Sequence, residues 1–311
     1  MANAIILAIV AGFASALLAA AAISGPGIGL VLTFVAPLPL MIVAIGWQPL
    51  LAVLGGALTS AMLVMAFRGS AGIIFAILVT LPAYLAGLVI WRDHADTRFL
   101  VAKLCLGAAL YGAFATVLGA LSISTDYATL QSMLLRQSEG VYRFMMGLDG
   151  ASPLLPINGQ DPQIFITLYA NLVAPLSAAV FGAIYMLNIW LAAKIAARSR
   201  PLGFDWPPVP KLRLPRFLLP LLGLTLLGAA LPGYLGFTLE LVGMAISLSV
   251  IALGYACIHD VSQGMAARSL ILAALWALTL IFGFPVLLIF MAGLADLAFG
   301  WRDKILANRN P

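Results

Sequence analysis

The sequence predicts an all-α, polytopic transmembrane bundle of about nine or ten membrane segments, the last one broken, with an amphipathic helix lying outside the membrane. Three observations carry this. Of 311 residues, 63% are hydrophobic and only 9% are charged, against about 25% charged in a soluble domain. A soluble fold of this length must still cover its surface with polar groups, so part of the solvent here is lipid. Lipid cannot hydrogen-bond a backbone, which leaves helices or closed barrels. The apolar runs are continuous over roughly 18 to 30 residues, the length of helices crossing ~30 Å of hydrocarbon; barrel strands would alternate over about ten.

The first apolar segment runs from Asn3 to Ser24 and turns at Gly25-Pro26-Gly27. It lacks a positively charged start and leads straight into further apolar sequence, so it reads as a retained helix rather than a signal peptide. Ile28 to Gly46 is the second segment, Leu50 to Phe67 the third, and Ala71 to Trp91 the fourth. A charged connection, Arg92 to Arg98, leads to the fifth, Phe99 to Leu121.

The connection from Ser122 to Gln163 is patterned. Tyr127, Leu130, Leu134, Val141, Met145 and Leu148 recur at helical spacing, with Ser132, Arg136, Glu139 and Arg143 opposite. Glu139 and Arg143 can pair at i,i+4. This predicts an interfacial helix over about 127–148, parked at the outer surface or closing a cavity.

The sixth segment, Ile164 to Ala193, completes an N-terminal unit of residues 1–193. A basic, proline-rich loop follows over 194–213, then C-terminal membrane helices over 214–311: Leu214 to Leu231, Tyr234 to Ile258, and Ser269 to Phe299. The last stretch is too long for one simple crossing. Phe282-Gly283-Phe284-Pro285 breaks it midway, so it is expected to fold as a hairpin, with one long kinked helix as the alternative.

Lys and Arg set the orientation. Arg92, Arg98, Lys103, Lys194, Arg198, Arg200, Lys211, Arg213, Arg216 and Arg268 fall on the side of the N-terminus. A final hairpin adds Arg302, Lys304 and Arg309 to them. Both termini are expected to be cytoplasmic. Lys194, Arg198, Arg200, Lys211, Arg213 and Arg216 are expected to meet anionic lipid headgroups. The net charge of +5 follows from such loops and gives no support to nucleic-acid binding.

Ala4, Ala8, Gly12, Ala16 and Ala20 repeat every four residues on the first helix. In lipid, small residues at this spacing let a second helix backbone approach closely. The partner is either another helix of this chain or a docked membrane subunit. Similar stripes are Ala108, Gly112, Thr116 and Ala120, and Ala174, Ala178 and Gly182.

Polar groups at membrane depth are few. Pro37 and Pro39 free carbonyls about one turn earlier, and Pro175 does the same near Asn171. Asn171 and Asn188 are costly unless they face protein or a cavity. With Tyr84 and Trp190 they form a candidate site for a small, largely apolar ligand between the first six helices. Glu240 and Asp296 are intramembrane carboxylates and candidates by default; Asp296 can also be a structural partner for Arg268 or Arg92. Cys105 and Cys257 have no metal-ligand spacing and read as inert thiols. No phosphate-binding loop, metal cluster or paired catalytic group is visible, so no enzyme activity, cofactor or metal is expected.

Three stretches resemble the YybS-like family of predicted bacterial inner-membrane proteins, a domain of unknown function. They are Phe34-Val35-Ala36-Pro37-Leu38-Pro39-Leu40, Trp206-Pro207-Pro208 through Leu212-Arg213-Leu214-Pro215, and Ala292 through Arg302. Gly300 departs from the family pattern, which has a second acidic residue there. The family is distantly similar to substrate-binding subunits of energy-coupling-factor transporters and to the rod-shape protein MreD. In those transporter subunits a small-residue stripe on the first helix docks the energising subunit, and the stripe from Ala4 to Ala20 is similar in kind. The resemblance implies a bacterial inner-membrane location but supplies no substrate. The broken helices and the small-residue stripe instead suggest a small-molecule transporter, or its substrate-binding component, without its own ATPase. The alternative is a scaffold for another envelope protein.

Overall fold

The computed structural model of the protein describes residues 2–24, 27–67, 69–93, 99–150, 152–156, 159–199, 206, 208 and 211–307. The turn residues Gly25 and Pro26, Arg68, the connection 94–98, Asn158, Arg200 with most of the loop to Pro210, and Arg309 lie outside them.

Every regular element among the described residues is helical. They are α1 (Ala2–Ala20), α2 (Ile28–Phe34), α3 (Leu38–Gly46), α4 (Pro49–Phe67), α5 (Ala71–Phe75), α6 (Leu81–Asp93), α7 (Leu100–Ile123), α8 (Tyr127–Met145), α9 (Pro162–Ser199), α10 (Leu218–Gly228), α11 (Gly233–Val261), α12 (Arg268–Phe282), α13 (Pro285–Phe299) and α14 (Trp301–Ala307). A short 3₁₀ turn, Ala21–Ser24, ends the first span, and a π-helical turn, Ala76–Thr80, joins α5 to α6.

Among the described residues, seven spans are long and apolar enough to cross a membrane: 3–23, 28–46, 49–67, 71–93, 100–123, 162–199 and 233–261. An eighth arises if α13 and α14, bent by 80°, count as one. The chain is thus a multi-pass membrane protein by length and composition, but helices of crossing length fall short of the nine or ten segments expected. The difference lies in the C-terminal third. The expected segment from Leu214 to Leu231 contains only 11 helical residues. Pro215 disfavours helical backbone at Leu214; the chain is non-helical over 212–215, and α10 starts only at Leu218. Each arm of the expected final hairpin, α12 and α13, has 15 residues, about 22 Å at 1.5 Å per residue, short of ~30 Å of hydrocarbon.

Small residues set the close helix contacts. A Cβ added to Gly12 would lie 2.5 Å from the Gly55 carbonyl oxygen and the Thr59 hydroxyl, so the α1 stripe packs on α4. Gly112 faces Ala178 and Gly182, joining α7 to α9 as the second and third stripes suggest. Gly87 meets Ala44, and Gly46 meets Ala196, which sets α3 between α6 and α9. The basic stretch expected as a loop from Lys194 begins instead as the last turns of α9.

Gly293 packs against Val250 and Gly254, and Arg302 lies by Asp260. Both registers advance together, so α13 runs parallel to α11. Tyr255 of α11 stacks on Trp276 of α12 at 4.5 Å, and its hydroxyl donates to Thr279 at 3.0 Å. The turn between α12 and α13 uses Gly283 at φ +70°, a conformation that favours glycine.

Candidate functional site

Two irregular helices and three neutral side chains build the site. Pro37 and Pro39 have no N–H to give to Thr33 and Val35. The chain compensates by tightening: the Ala36 amide bonds the Thr33 carbonyl at 3.1 Å, and the Leu38 amide bonds the Val35 carbonyl at 2.9 Å. That diverts the Leu38 amide from Phe34. The Phe34 carbonyl is taken instead by the Asn188 amide of α9 at 2.8 Å, and Asn188 is itself buried.

The π turn repeats this logic. Pro82 cannot donate to the Leu78 carbonyl one turn earlier. The Tyr185 hydroxyl of α9 donates to it at 3.0 Å, and the Tyr111 hydroxyl of α7 donates to the Ile77 carbonyl. The two tyrosine rings meet edge to face at 4.9 Å, a favourable aromatic geometry.

Cavities remain on either side of this junction. The first, about 420 Å³, is lined by Ala16, Ala19, Phe34, Pro37, Phe75 and Tyr185, among others. The second, about 390 Å³, is lined by Thr116, Leu130, Leu134, Gln137, Ser177 and Tyr185, among others. Leu78, Phe181 and Tyr185 belong to both walls. Helix α8 supplies Leu130, Leu134 and Gln137, so the amphipathic helix roofs the second cavity. Asp126 caps it, accepting from the Thr129 amide at 2.9 Å. Hydrogen bonds from the Thr129 hydroxyl and amide hold the Asp126 carboxyl below the usual carboxylate range. Burial, and then the Glu240 carboxylate, push the Tyr127 phenol up.

The walls are chemically quiet. Among the described residues, neither cavity is lined by a charged side chain. The Thr33, Thr116 and Ser177 hydroxyls bond back to their own helices, at 2.9, 2.9 and 2.7 Å. Such a site can hold a small apolar molecule by shape and dispersion. Among the described residues no group of three His, Cys, Asp or Glu could hold a metal ion.

No family model matches this chain, and no curated protein or solved structure is significantly similar to it.

Of the residues singled out from the sequence, Pro37 and Asn188 meet at this junction. Pro39 lies half-buried in the first turn of α3, and Tyr84 is half-buried on α6, outside the cavity linings. Asn171 is exposed on α9, and Trp190 is 39% exposed further along it. Glu240 is half-buried on α11. Of the α1 stripe, Ala8 and Gly12 are buried on α4, Ala4 is half-buried, and Ala16 and Ala20 line the first cavity. Sequence reasoning passed over Tyr111 and Tyr185. The signal that could have found them is Pro82, which frees a carbonyl needing a donor from a neighbouring helix.

Asp296 belongs to a separate, charged cluster. Its partner is Arg302, at 3.1 Å, rather than Arg268 or Arg92. Gly300 adopts φ +59° and folds α14 back, which brings Arg302 onto a residue six positions earlier. Arg302 is fully buried. It donates to the Leu212 carbonyl at 2.8 Å and lies 3.8 Å from Asp260. Arg213 grips Asp303 with contacts of 2.5 and 3.1 Å and approaches Asp296 at 3.9 Å. Lys194, Arg198, Lys211 and Arg216 are exposed. Cys105 and Cys257 are free and buried.

Proposed function

We propose that this protein binds a small, largely apolar molecule in the paired cavities at Tyr185, as a transporter or the substrate-binding membrane component of one. The observation that supports the reading is the pair of cavities, about 420 and 390 Å³, whose described walls carry no charge and which share one wall beneath α8. They lie where two helices are broken, and broken helices near the membrane middle are where transporters place ligands. A docked subunit or a scaffold role would need a face other than Ala8 and Gly12, which already pack on α4.

The test is native mass spectrometry of the protein purified from its membrane. The wild type should retain a small apolar adduct. Ala19→Phe, which fills the first cavity, and Leu134→Trp, which fills the second, should lose it while staying folded. Equal retention by both variants would end the proposal.

Both termini are proposed to lie inside and α8 outside, on the strength of the Lys and Arg distribution; that the membrane is the bacterial cytoplasmic one rests on the family resemblance alone. Cysteines placed at Gln137 and Lys304 should then react with an impermeant reagent from opposite sides. Reaction from the same side would reverse that topology.

A further inference from the structure

A third cavity, about 320 Å³, lies towards the C-terminal end of α9. Its lining includes Val101, Leu104 and Cys105 of α7, Met186 and Ile189 of α9, and Ala252 of α11. Trp190 and Trp206 complete the wall. Leu187 and Trp190 also line it while remaining 54% and 39% exposed, so the groove opens sideways, where a membrane protein meets acyl chains. Trp190, Lys194 and Arg198 recur every four residues and therefore share one face of α9. The Lys194 ammonium sits 5.2 Å from the centre of the Trp190 ring, a cation–π contact that fixes the charge above the groove mouth. Lys194 and Arg198 are exposed and, among the described residues, pair with no carboxylate.

We infer that this groove holds one anionic phospholipid, an acyl chain between α7, α9 and α11 and its phosphate at Lys194 and Arg198. The order along α9 matches a lipid standing upright: apolar Met186 and Leu187, then an indole suited to the interface, then two cations within about 12 Å of the indole along the axis. A zwitterionic headgroup would bring its own cation beside Lys194, so the charges select an anionic one. This site is separate from the cavities at Tyr185, and neither proposal depends on the other.

The experiment compares retention of phosphatidylglycerol and phosphatidylcholine, with identical acyl chains, by the purified full-length protein in native mass spectrometry. The wild type should retain one phosphatidylglycerol in preference to phosphatidylcholine. Lys194→Ala with Arg198→Ala should weaken phosphatidylglycerol about 30-fold, the equivalent of about 1 kcal/mol per charge, and weaken phosphatidylcholine, whose own cation offsets its phosphate, by much less. Ala252→Phe, which fills the groove, should weaken both lipids. The control pair Arg92→Ala with Lys304→Ala removes the same charge from two exposed positions elsewhere and should change neither. The site is overturned if the wild type holds both lipids equally, if the Lys194/Arg198 variant keeps phosphatidylglycerol, or if the control pair loses as much.

Discussion

The junction at Tyr185 and the cluster at Arg302 both repair broken helical backbone, but with different chemistry. At the junction, neutral donors from Asn188, Tyr185 and Tyr111 meet carbonyls that Pro37, Pro39 and Pro82 leave over. At the cluster, a fully buried guanidinium meets the Leu212 carbonyl of the extended entry to α10 and two carboxylates. Neutral repair leaves apolar cavities around it. Charged repair ties four segments of chain together: the end of α11, the entry to α10, α13 and α14. The first arrangement suits a region that must admit a ligand. The second suits an anchor, because a buried ion pair tolerates no partial opening.

That contrast can be broken by substitution. Arg302→Ala leaves Asp296 buried without its principal partner, and loss of one partner of such a pair costs about 3–5 kcal/mol. Thermal unfolding in detergent should show it as the largest effect of any single change considered. Arg302→Met combined with Asp296→Leu should recover part of the loss, since packed apolar residues often replace a buried pair at little cost. Asn188→Leu strands only the Phe34 carbonyl and should cost about 1–2 kcal/mol. If Asn188→Leu proves as damaging as Arg302→Ala, the two repairs are energetically alike and the distinction fails.

The sequence carries more of the fold than of the site. Hydropathy locates the long spans because a crossing helix must be apolar over its whole length. The 3.6-residue periodicity of α8 is legible because one of its faces meets water. Within the membrane that signal vanishes: lipid-facing and buried faces are both apolar, so nothing in the pattern says that Asn171 is exposed while Asn188 is buried. Pro37 and Pro39 reveal that carbonyls are freed, but not which neighbour supplies the donor. The ionic cluster is hidden for another reason. Asp296 and Arg302 lie six residues apart, a spacing at which side chains on one helix do not meet; only the left-handed Gly300 turns them together. For α12 and α13, length alone distinguishes full crossings from shorter arms, and hydropathy ran the two together.

The roof of the second cavity sharpens the comparison on its mildest side, where an exposed carboxylate rather than a buried one organises backbone. Asp126 accepts from both the amide and the hydroxyl of Thr129, and those bonds lower its pKa in the folded protein. A carboxyl with a lowered folded value contributes stability that is complete above its unfolded value, about 3.9, and is lost as pH falls through the folded value. The first turn of α8 should therefore loosen only below about pH 4. Hydrogen exchange at the Thr129 amide, corrected for the intrinsic pH dependence, should show protection falling there in the wild type. Asp126→Asn keeps a capping oxygen but cannot titrate, so its protection should stay level over the same range. Asp126→Ala should expose the amide at every pH. Identical pH profiles for the wild type and Asp126→Asn would mean that the carboxylate does not hold the roof, and that α8 stays in place through Leu130 and Tyr142, both buried on its inner face.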